Sequence, residues 1–306
     1  MKITGIRLHE VRLGLVSAPY RSAKNTVSTL TSSVIAVDTD ENLTGWGEVC
    51  PYGANYLPGL PAGVAPVLEA LAPALVGRDP RMIAEINEIM DRAVVEQYYV
   101  KTGIDYACWD LLGKSTGLPV HALLGGKLTP RLPLIGSIPD GAEEMRAAIG
   151  HYRSKGYSQF SLHLASASRT RVDDCRRVIE SLDAGSKVVV DANQSWNVLT
   201  AVEVGRALEG TGIALEQPCR DLEQCAIVRR KVDLPMVLDE IIVTPEDCIR
   251  AASAGVADAV AIKIGRTGGI SRARQICDAA DALGIPYWIK DVSGSEIATA
   301  AIAHLA

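Results

Sequence analysis

Three acidic residues, Asp191, Glu216 and Asp239, stand directly after short apolar segments of the chain. If those segments are parallel strands, their carboxyl ends meet at one rim, and the three carboxylates converge there. A site made of carboxylate oxygens, with no His or Cys nearby, suits Mg²⁺, or Mn²⁺ as the alternative, better than zinc. A single such acid would more simply cap a helix or pair with Arg. Three acids on consecutive strands favour a metal site.

A lysine follows in the next apolar segment, Ala261-Ile-Lys-Ile-Gly265. Burial lowers the pKa of an ammonium group, so we expect Lys263 to act as a base near neutral pH. Pairing with one of the carboxylates is the alternative, and the two roles are compatible. The hydrogen α to a carboxylate is a very weak acid, and a divalent ion that stabilises the enediolate beside a lysine base makes its removal feasible. These residues indicate proton abstraction from a small carboxylate.

Seven apolar runs in the second half of the chain alternate with helical patterns. The runs are 132–135, 160–164, 188–190, 213–215, 236–238, 259–262 and 287–289. Polar residues mark the ends of six runs at intervals of 28, 25, 23, 24 and 28 residues: His163, Asp191, Glu216, Asp239, Lys263 and Asp291. A strand, a helix and two loops need about that length, and runs that are apolar throughout indicate strands buried on both faces.

This repeat predicts an α/β fold with a TIM-type (β/α) barrel. The rival is an open doubly wound sheet, which would carry a glycine-rich turn after its first strand. The candidate turn, Gly265-Arg-Thr-Gly-Gly269, follows the sixth run instead. We count seven barrel strands before Ala306, so the barrel is expected to be incomplete at the C-terminus, with two unpaired strand edges. Truncation and cover by a neighbouring subunit both remain open as reasons.

The first part of the chain has a different pattern. Residues 1–50 alternate as antiparallel strands do, with a hairpin turn at Glu41-Asn42, and residues 62–123 have apolar positions at helical spacing. We therefore divide the chain into an α+β capping domain, residues 1–125, and a barrel domain, residues 126–306, that lacks its last strand.

The composition of the chain limits the classes of molecule that it is expected to bind. The chain has 306 residues and a net charge of -5, without a basic cluster, which argues against nucleic acid. It contains no apolar run of the roughly 18 residues that span a bilayer and no signal-peptide pattern at its start. Its seven cysteines are scattered without a Cys-x-x-Cys pair, which fits a reducing cytoplasm. A small-molecule carboxylate is the expected partner.

Several motifs resemble the enolase superfamily, in its mandelate racemase and muconate-lactonizing branch. In the second half the motifs are Val190-Asp191-Ala-Asn193, Leu215-Glu216-Gln-Pro-Cys219, Leu238-Asp239-Glu240 and Ile262-Lys263. In the first half they are Gly45-Trp-Gly-Glu48, the stretch from Ile104 to Lys114, and Pro119-Val-His-Ala-Leu-Leu-Gly-Gly126. The resemblance covers essentially the whole chain and implies the same domain arrangement.

Within that branch the chain looks most similar to cis-3-hydroxy-L-proline dehydratases and hydroxyproline (betaine) 2-epimerases. Pro19-Tyr-Arg21, the segment from Cys50 to Pro58, and Ala300–Ala306 carry this likeness. It implies that Asp191, Glu216 and Asp239 bind Mg²⁺, that Lys263 is a catalytic base, and that Tyr56 lies on a loop that closes over the substrate. It also implies self-association into a homo-oligomer.

The expected reaction is dehydration of cis-3-hydroxy-L-proline or a related cyclic amino acid. Racemisation or epimerisation of another amino or hydroxy acid, and a catalytically impaired relative that binds metal and ligand, are the alternatives. Departures from the family motivate them. His163 stands where the family has a lysine, either as a proton-exchanging group or as a structural residue.

The seventh run departs from the family as well, since it ends in Ile289-Lys290-Asp291-Val-Ser293. Lys290 is then either a cation of the pocket or the partner of Asp291. We count Lys263 and His163 as candidate catalytic residues. Candidate substrate-binding residues are Tyr56, Asn193, Lys290 and Asp291.

Overall fold

The computed structural model describes residues 1–15, 20–21, 26–52, 56 and 59–306. Of the motif residues quoted above, Pro19 and positions 53–55 and 57–58 lie outside the described residues. Among the helices in these ranges, none has the length and apolar character that a membrane crossing requires.

The N-terminal part is built on antiparallel strands, as the alternating pattern predicted. The strands are β1 (Ile3–Gly14), β2 (Tyr20–Arg21), β3 (Thr26–Val27), β4 (Thr29–Thr39) and β5 (Thr44–Val49). The main sheet has the order β1-β4-β5, and β2 pairs with β3. Asn42 turns the chain between β4 and β5 with a φ of 57°, a left-handed conformation that Asn tolerates better than most residues. The predicted hairpin is confirmed by the pairing of Val34 with Glu48.

Helices cover this sheet. They are α1 (Val64–Leu75), α2 (Ile83–Ala93), α3 (Tyr98–Thr116) and α4 (Val120–Leu123). Leu71 and Ile86, at the predicted helical spacing, are fully buried in the core that the helices share with the sheet. Helix α3 approaches β5 so closely that a Cβ on Gly47 would lie 1.8 Å from the carbonyl oxygen of Gly103. This contact explains why glycine is needed in the Gly-Trp-Gly motif.

The second part is a curled sheet of seven parallel strands with helices outside. The strands, in the spatial order of the chain, are β6 (Ile135–Ile138), β7 (Gln159–His163), β8 (Lys187–Asp191), β9 (Ala214–Glu216), β10 (Met236–Leu238), β11 (Ala259–Lys263) and β12 (Tyr287–Lys290). The helices are α5 (Ala142–Ser154), α6 (Arg169–Glu180), α7 (Val198–Leu208), α8 (Leu222–Arg229), α9 (Pro245–Ser253), α10 (Ile264–Thr267), α11 (Ile270–Leu283) and α12 (Glu296–Leu305).

Both faces of these strands are apolar, as the continuous runs predicted. Phe160 and Val190 belong to the large core under the outer helices, whereas Val237 and Ala261 form a small inner core with Trp288. The barrel architecture with a separate antiparallel N-terminal unit is therefore confirmed. In the described part of the chain, β6 and β12 are the two ends of the sheet.

One strand position was wrong. The first run, 132–135, overlaps the observed β6 only at Ile135. Pro133 has no N–H for a sheet ladder, and Leu134 is exposed, so pairing starts later. The proposed domain boundary at 125/126 falls between α4 and β6 and stays a prediction.

Two buried acids of the N-terminal part bind helices of the barrel. Glu48 accepts hydrogen bonds from the backbone N–H groups of Ser295 (2.9 Å), the N-cap residue of α12, and of Ala298 (3.1 Å) in its first turn. Asp105 accepts one from the N–H of Ser271 in α11 (3.1 Å). Carboxylates at helix N-termini satisfy N–H groups that have no partner within the helix. These contacts hold the two parts together beside the rim where the strands end.

Candidate active site

The structure brings together the three carboxylates that the sequence singled out. Asp191 and Glu216 end β8 and β9 and are register partners, and Asp239 follows the end of β10. One carboxylate oxygen from each lies within 4.8 Å of the others, and all three residues are buried. Their spacing therefore allows a single ion to contact all three.

The electrostatics of this cluster favour a bound cation. Burial, and then the charges of Glu216 and Glu240, raise the pKa of Asp191 well above its usual range. Burial raises the pKa of Glu216 to about 7, although Lys290 opposes the rise. Oε2 of Glu216 is buried without a hydrogen-bond partner among the described residues. An acidic, all-oxygen cluster with an unsatisfied oxygen fits a hard divalent ion such as Mg²⁺, and Asp191, Glu216 and Asp239 are the residues that would hold it.

Lys263 lies at the edge of this cluster. Its ammonium contacts Asp239 Oδ2 and the hydroxyl of Tyr56, and Arg266 Nη1 donates to Asp239 Oδ1 at 2.8 Å. Burial alone would lower the pKa of Lys263, but the charges of Asp239, Glu240 and Asp191 together outweigh it and raise that pKa above its ordinary value. The expected lowering of this pKa was therefore wrong for the protein without a bound ion, because the pairing alternative prevails.

Asp239 is the most strongly neutralised of the three acids. Burial disfavours its charge, but Lys263 and Arg266 outweigh burial and hold the pKa of this carboxyl below its usual range. Arg266 is only 5% exposed and was not recognised in the sequence. The signal for it was weak, since a lone Arg three residues after Lys263 is also common on a helix surface.

His163 is buried in a chain of hydrogen bonds. Its Nε2 lies 3.2 Å from Ser137 Oγ, and its Nδ1 lies 3.1 Å from Asn193 Oδ1. Asn193 directs its amide nitrogen to Asp191 Oδ2 (2.9 Å) and to Glu240 Oε1 (3.3 Å), so its oxygen accepts from His163. This places the ring proton on Nδ1. Burial lowers the pKa of His163 to about 4, so the imidazole is neutral near pH 7.

Lys290 and Asp291 have separate partners. Lys290 Nζ donates to Glu216 Oε1 at 2.6 Å, which matches the interpretation of Lys290 as a cation of the pocket. Asp291 accepts from the N–H of Gly265 (3.0 Å) and the hydroxyl of Tyr106 (3.2 Å). Burial raises the pKa of Asp291 to about 6.

A cavity of about 430 Å³ connects these residues. It is lined by the four candidate substrate-binding residues, by both candidate catalytic residues and by Asp191. Tyr56 places its ring 4.9 Å from Lys263 Nζ, and Tyr52 meets that ring edge-on. Ser137 and Ser161, which the sequence did not single out for this pocket, line it as well. Small polar residues on an apolar strand were the one available signal for them.

Two family models match the chain. Residues 4–125 match the mandelate racemase/muconate lactonizing enzyme N-terminal domain, and residues 143–306 match the enolase C-terminal domain-like model. The chain belongs to this branch of the enolase superfamily, a group of enzymes, as the motifs predicted.

Individual relatives agree with this assignment. The chain is 39% identical over 308 residues to a cis-3-hydroxy-L-proline dehydratase of Roseibium aggregatum, covering 100% of this chain and 84% of the relative. It is 30% identical to an N-succinyl-L-Arg/Lys racemase of Bacillus cereus, covering 100% and 84% of the two chains. A mandelate racemase/muconate lactonizing enzyme structure from Roseovarius nubinhibens has a TM-score of 0.95 and 38% identity, covering 99% and 82%.

The magnesium site of the superfamily fits the acidic cluster described above. Another similar structure from Roseovarius nubinhibens, complexed with magnesium, has a TM-score of 0.94 and 31% identity and covers 100% of this chain and 84% of its own. The relatives include a dehydratase, a racemase, a muconate cycloisomerase and a dipeptide epimerase.

Proposed function

We propose that this enzyme removes the α-proton of a small cyclic amino acid in the presence of Mg²⁺ (or Mn²⁺) and that its reaction is the dehydration of cis-3-hydroxy-L-proline. The observation that carries the proposal is the position of Lys263. Its ammonium contacts both a carboxylate of the candidate metal cluster and the substrate-sized cavity. The 39% identity to a cis-3-hydroxy-L-proline dehydratase supports the choice of substrate.

The chain's own residues suggest how the reaction proceeds. A divalent ion held by Asp191, Glu216 and Asp239 would neutralise charge on the substrate carboxylate as the α-carbon loses its proton. Lys263 is the residue placed to accept that proton. The charge of Asp239 helps to raise the pKa of Lys263, and an ion bound to Asp239 would weaken that effect and make the amine available as a base. Tyr56 fixes the direction of the amine through its hydroxyl and presents an aromatic face to the cationic ring nitrogen.

The leaving group belongs on the opposite wall of the pocket. In cis-3-hydroxy-L-proline the hydroxyl and the α-hydrogen point to opposite faces of the ring. Lys263 ends β11, and β7 lies four strands away along the curled sheet. Ser161 on β7 lines the pocket there, and its hydroxyl is able to donate a hydrogen bond to the departing oxygen. The carbon–oxygen bond breaks with its electron pair on oxygen, and a solvent proton completes the water molecule.

Epimerisation is the second candidate, because racemases and epimerases are among the relatives. It needs an acid–base group on each face of the α-carbon. His163 is the candidate for the second face, but burial lowers its pKa to about 4 and Ser137 and Asn193 engage both ring nitrogens. A weakly basic, fully bonded imidazole favours dehydration over epimerisation.

The test is proton exchange in D₂O. Protein, Mg²⁺ and cis-3-hydroxy-L-proline are incubated in D₂O, and NMR follows both loss of the α-hydrogen and appearance of the unsaturated ring acid. We expect both signals in the wild type. Lys263→Ala should slow both by roughly 10³-fold, the typical loss when a general base is removed. Lys187→Ala, at an exposed lysine, is the matched control and should leave both rates unchanged.

Other outcomes separate the candidates. Deuterium incorporation with inversion and without water loss would favour an epimerase. The absence of exchange and of product in the wild type would count against the proposed reaction on this substrate. Wild-type rates in Lys263→Ala would remove the lysine from the mechanism.

A further inference from the structure

Lys290 makes a contact that its place in the sheet does not suggest. It ends β12 as the register partner of Lys263, yet its ammonium lies 2.6 Å from Oε1 of Glu216, at the end of β9. These two strands are three positions apart in the sheet order. The side chain therefore reaches past the ends of β11 and β10, and its Nζ lies 5.5 Å from the centroid of the Trp288 ring.

This contact involves Glu216, a candidate metal ligand for which Lys290 is the one cationic side chain in direct contact among the described residues. Asp239 is bound by Lys263 and Arg266, and Asp191 is bound by Asn193. Glu216 is completely buried, and the side chain of Lys290 is only 20% exposed. The other oxygen of Glu216, Oε2, has no hydrogen-bond partner among the described residues. Lys290 is therefore the residue that places a positive charge in contact with this carboxylate.

A divalent ion needs the same carboxylate. An ion that touches all three acids must lie within about 2–2.6 Å of a Glu216 oxygen, and the ammonium is already 2.6 Å from one of them. The two positive charges would then stand only a few ångströms apart. Even at the dielectric constant of water, repulsion between a double and a single charge at that distance is about 2 kcal/mol, which lowers an affinity by more than tenfold.

We propose that Lys290 competes with the divalent ion for Glu216 and so sets the affinity of the metal site. The ion gains Glu216 when the ammonium withdraws into the pocket, which Lys290 already lines beside Lys263. Four acids, Asp191, Glu216, Asp239 and Glu240, face three cationic side chains in this cluster, so an added divalent ion leaves one positive charge in excess. An anionic ligand in the pocket balances that charge.

This inference rests on the metal site of the proposed function and not on the choice of substrate. Its test measures the binding of Mn²⁺ alone, from the free-ion signal in electron paramagnetic resonance, with no substrate present. Lys290→Gln removes the charge but keeps a hydrogen-bond donor for Glu216, and Lys290→Met removes both. We expect both variants to bind Mn²⁺ at least tenfold more tightly than the wild type.

Two controls separate charge from shape. Lys290→Arg keeps the charge and should keep the wild-type affinity within about threefold, and Lys187→Met, at an exposed position, should not change it. If Lys290→Met does not fold well without an ion, Lys290→Gln still decides the question. Equal or weaker Mn²⁺ binding by Lys290→Gln would overturn the inference. Failure of the exchange reaction in D₂O would instead count against the substrate and leave this binding result intact.

Discussion

A substitution of Asp291 measures how much the burial of a charged carboxylate beside the pocket lowers the free energy of unfolding. Burial raises the pKa of this carboxyl from 3.8 to about 6, while the N–H of Gly265 and the hydroxyl of Tyr106 partly compensate its charge. A pKa that is higher in the folded state means that the folded protein binds the proton more tightly. The contribution of Asp291 to stability is therefore most favourable at low pH, falls as the pH rises from about 4 to about 6, and stays lower above that range.

The perturbation is Asp291→Asn, which keeps an oxygen for the N–H of Gly265 and removes the charge. A shift of about two pKa units corresponds to about 3 kcal/mol. Because Asp291 borders the pocket, part of this is screened, and we expect a gain of about 2 kcal/mol in the free energy of unfolding at pH 8. At pH 4 the acid is protonated in the folded state but roughly half ionised in the unfolded chain, so the gain should fall to about 0.5 kcal/mol.

The assay is urea unfolding of the wild type and Asp291→Asn at several pH values between 4 and 8. The difference between the two proteins isolates this group from the other buried acids. Asp233→Asn, at an exposed position, is the control for the loss of a surface carboxylate. A difference for Asp291→Asn that is the same at pH 4 and pH 8, or a loss of stability at pH 8, would refute the reasoning.

Two further predictions concern the pocket wall and the domain contact. Ser161→Ala should slow water loss by about tenfold, the value of one hydrogen bond of about 1.4 kcal/mol, and should leave α-deuterium exchange within twofold of the wild type. An equal decrease of both rates, measured by NMR in D₂O, would exclude a role at the leaving group. Glu48→Ala should lower the free energy of unfolding by about 3 kcal/mol, because the buried N–H groups of α12 lose a charged acceptor. Thermal unfolding measures this loss, with the exposed Glu69→Ala as control, and equal melting temperatures would contradict it.

The convergence of Asp191, Glu216 and Asp239 could be predicted because it depends on one regularity. Parallel strands of similar length end at the same rim, so acids at three consecutive strand ends must be neighbours. The barrel itself follows from the same spacing. The first strand was misplaced because apolar character alone does not record that Pro133 interrupts pairing.

The electrostatics of the rim could not be predicted in the same way. Burial of Lys263 was foreseeable, but its contact with Asp239 was only one of two alternatives, and Asp239 together with Glu240 and Asp191 reverses the direction of its pKa shift. The contact between Lys290 and Glu216 spans non-adjacent strands, and a sequence pattern predicts neighbours in the sheet rather than partners across the barrel opening. The roles of the candidate ligands and of His163 stay predictions until they are measured.

The bond from Glu48 to α12 has a consequence for protein engineering. The segment just before α12 contains Val292 and Ser293, which line the pocket, and Ser293 donates to the backbone oxygen of Cys50 at 3.1 Å. In a chimera that takes its first 125 residues from a relative, two features would change at once. The N-terminal residues that line the pocket would differ, and so would the residue that binds the segment before α12. A chimera designed to have the selectivity of a relative therefore needs Glu48 and Ser295 to be exchanged together. If only one of them is exchanged, the chimera gains specificity at the cost of stability.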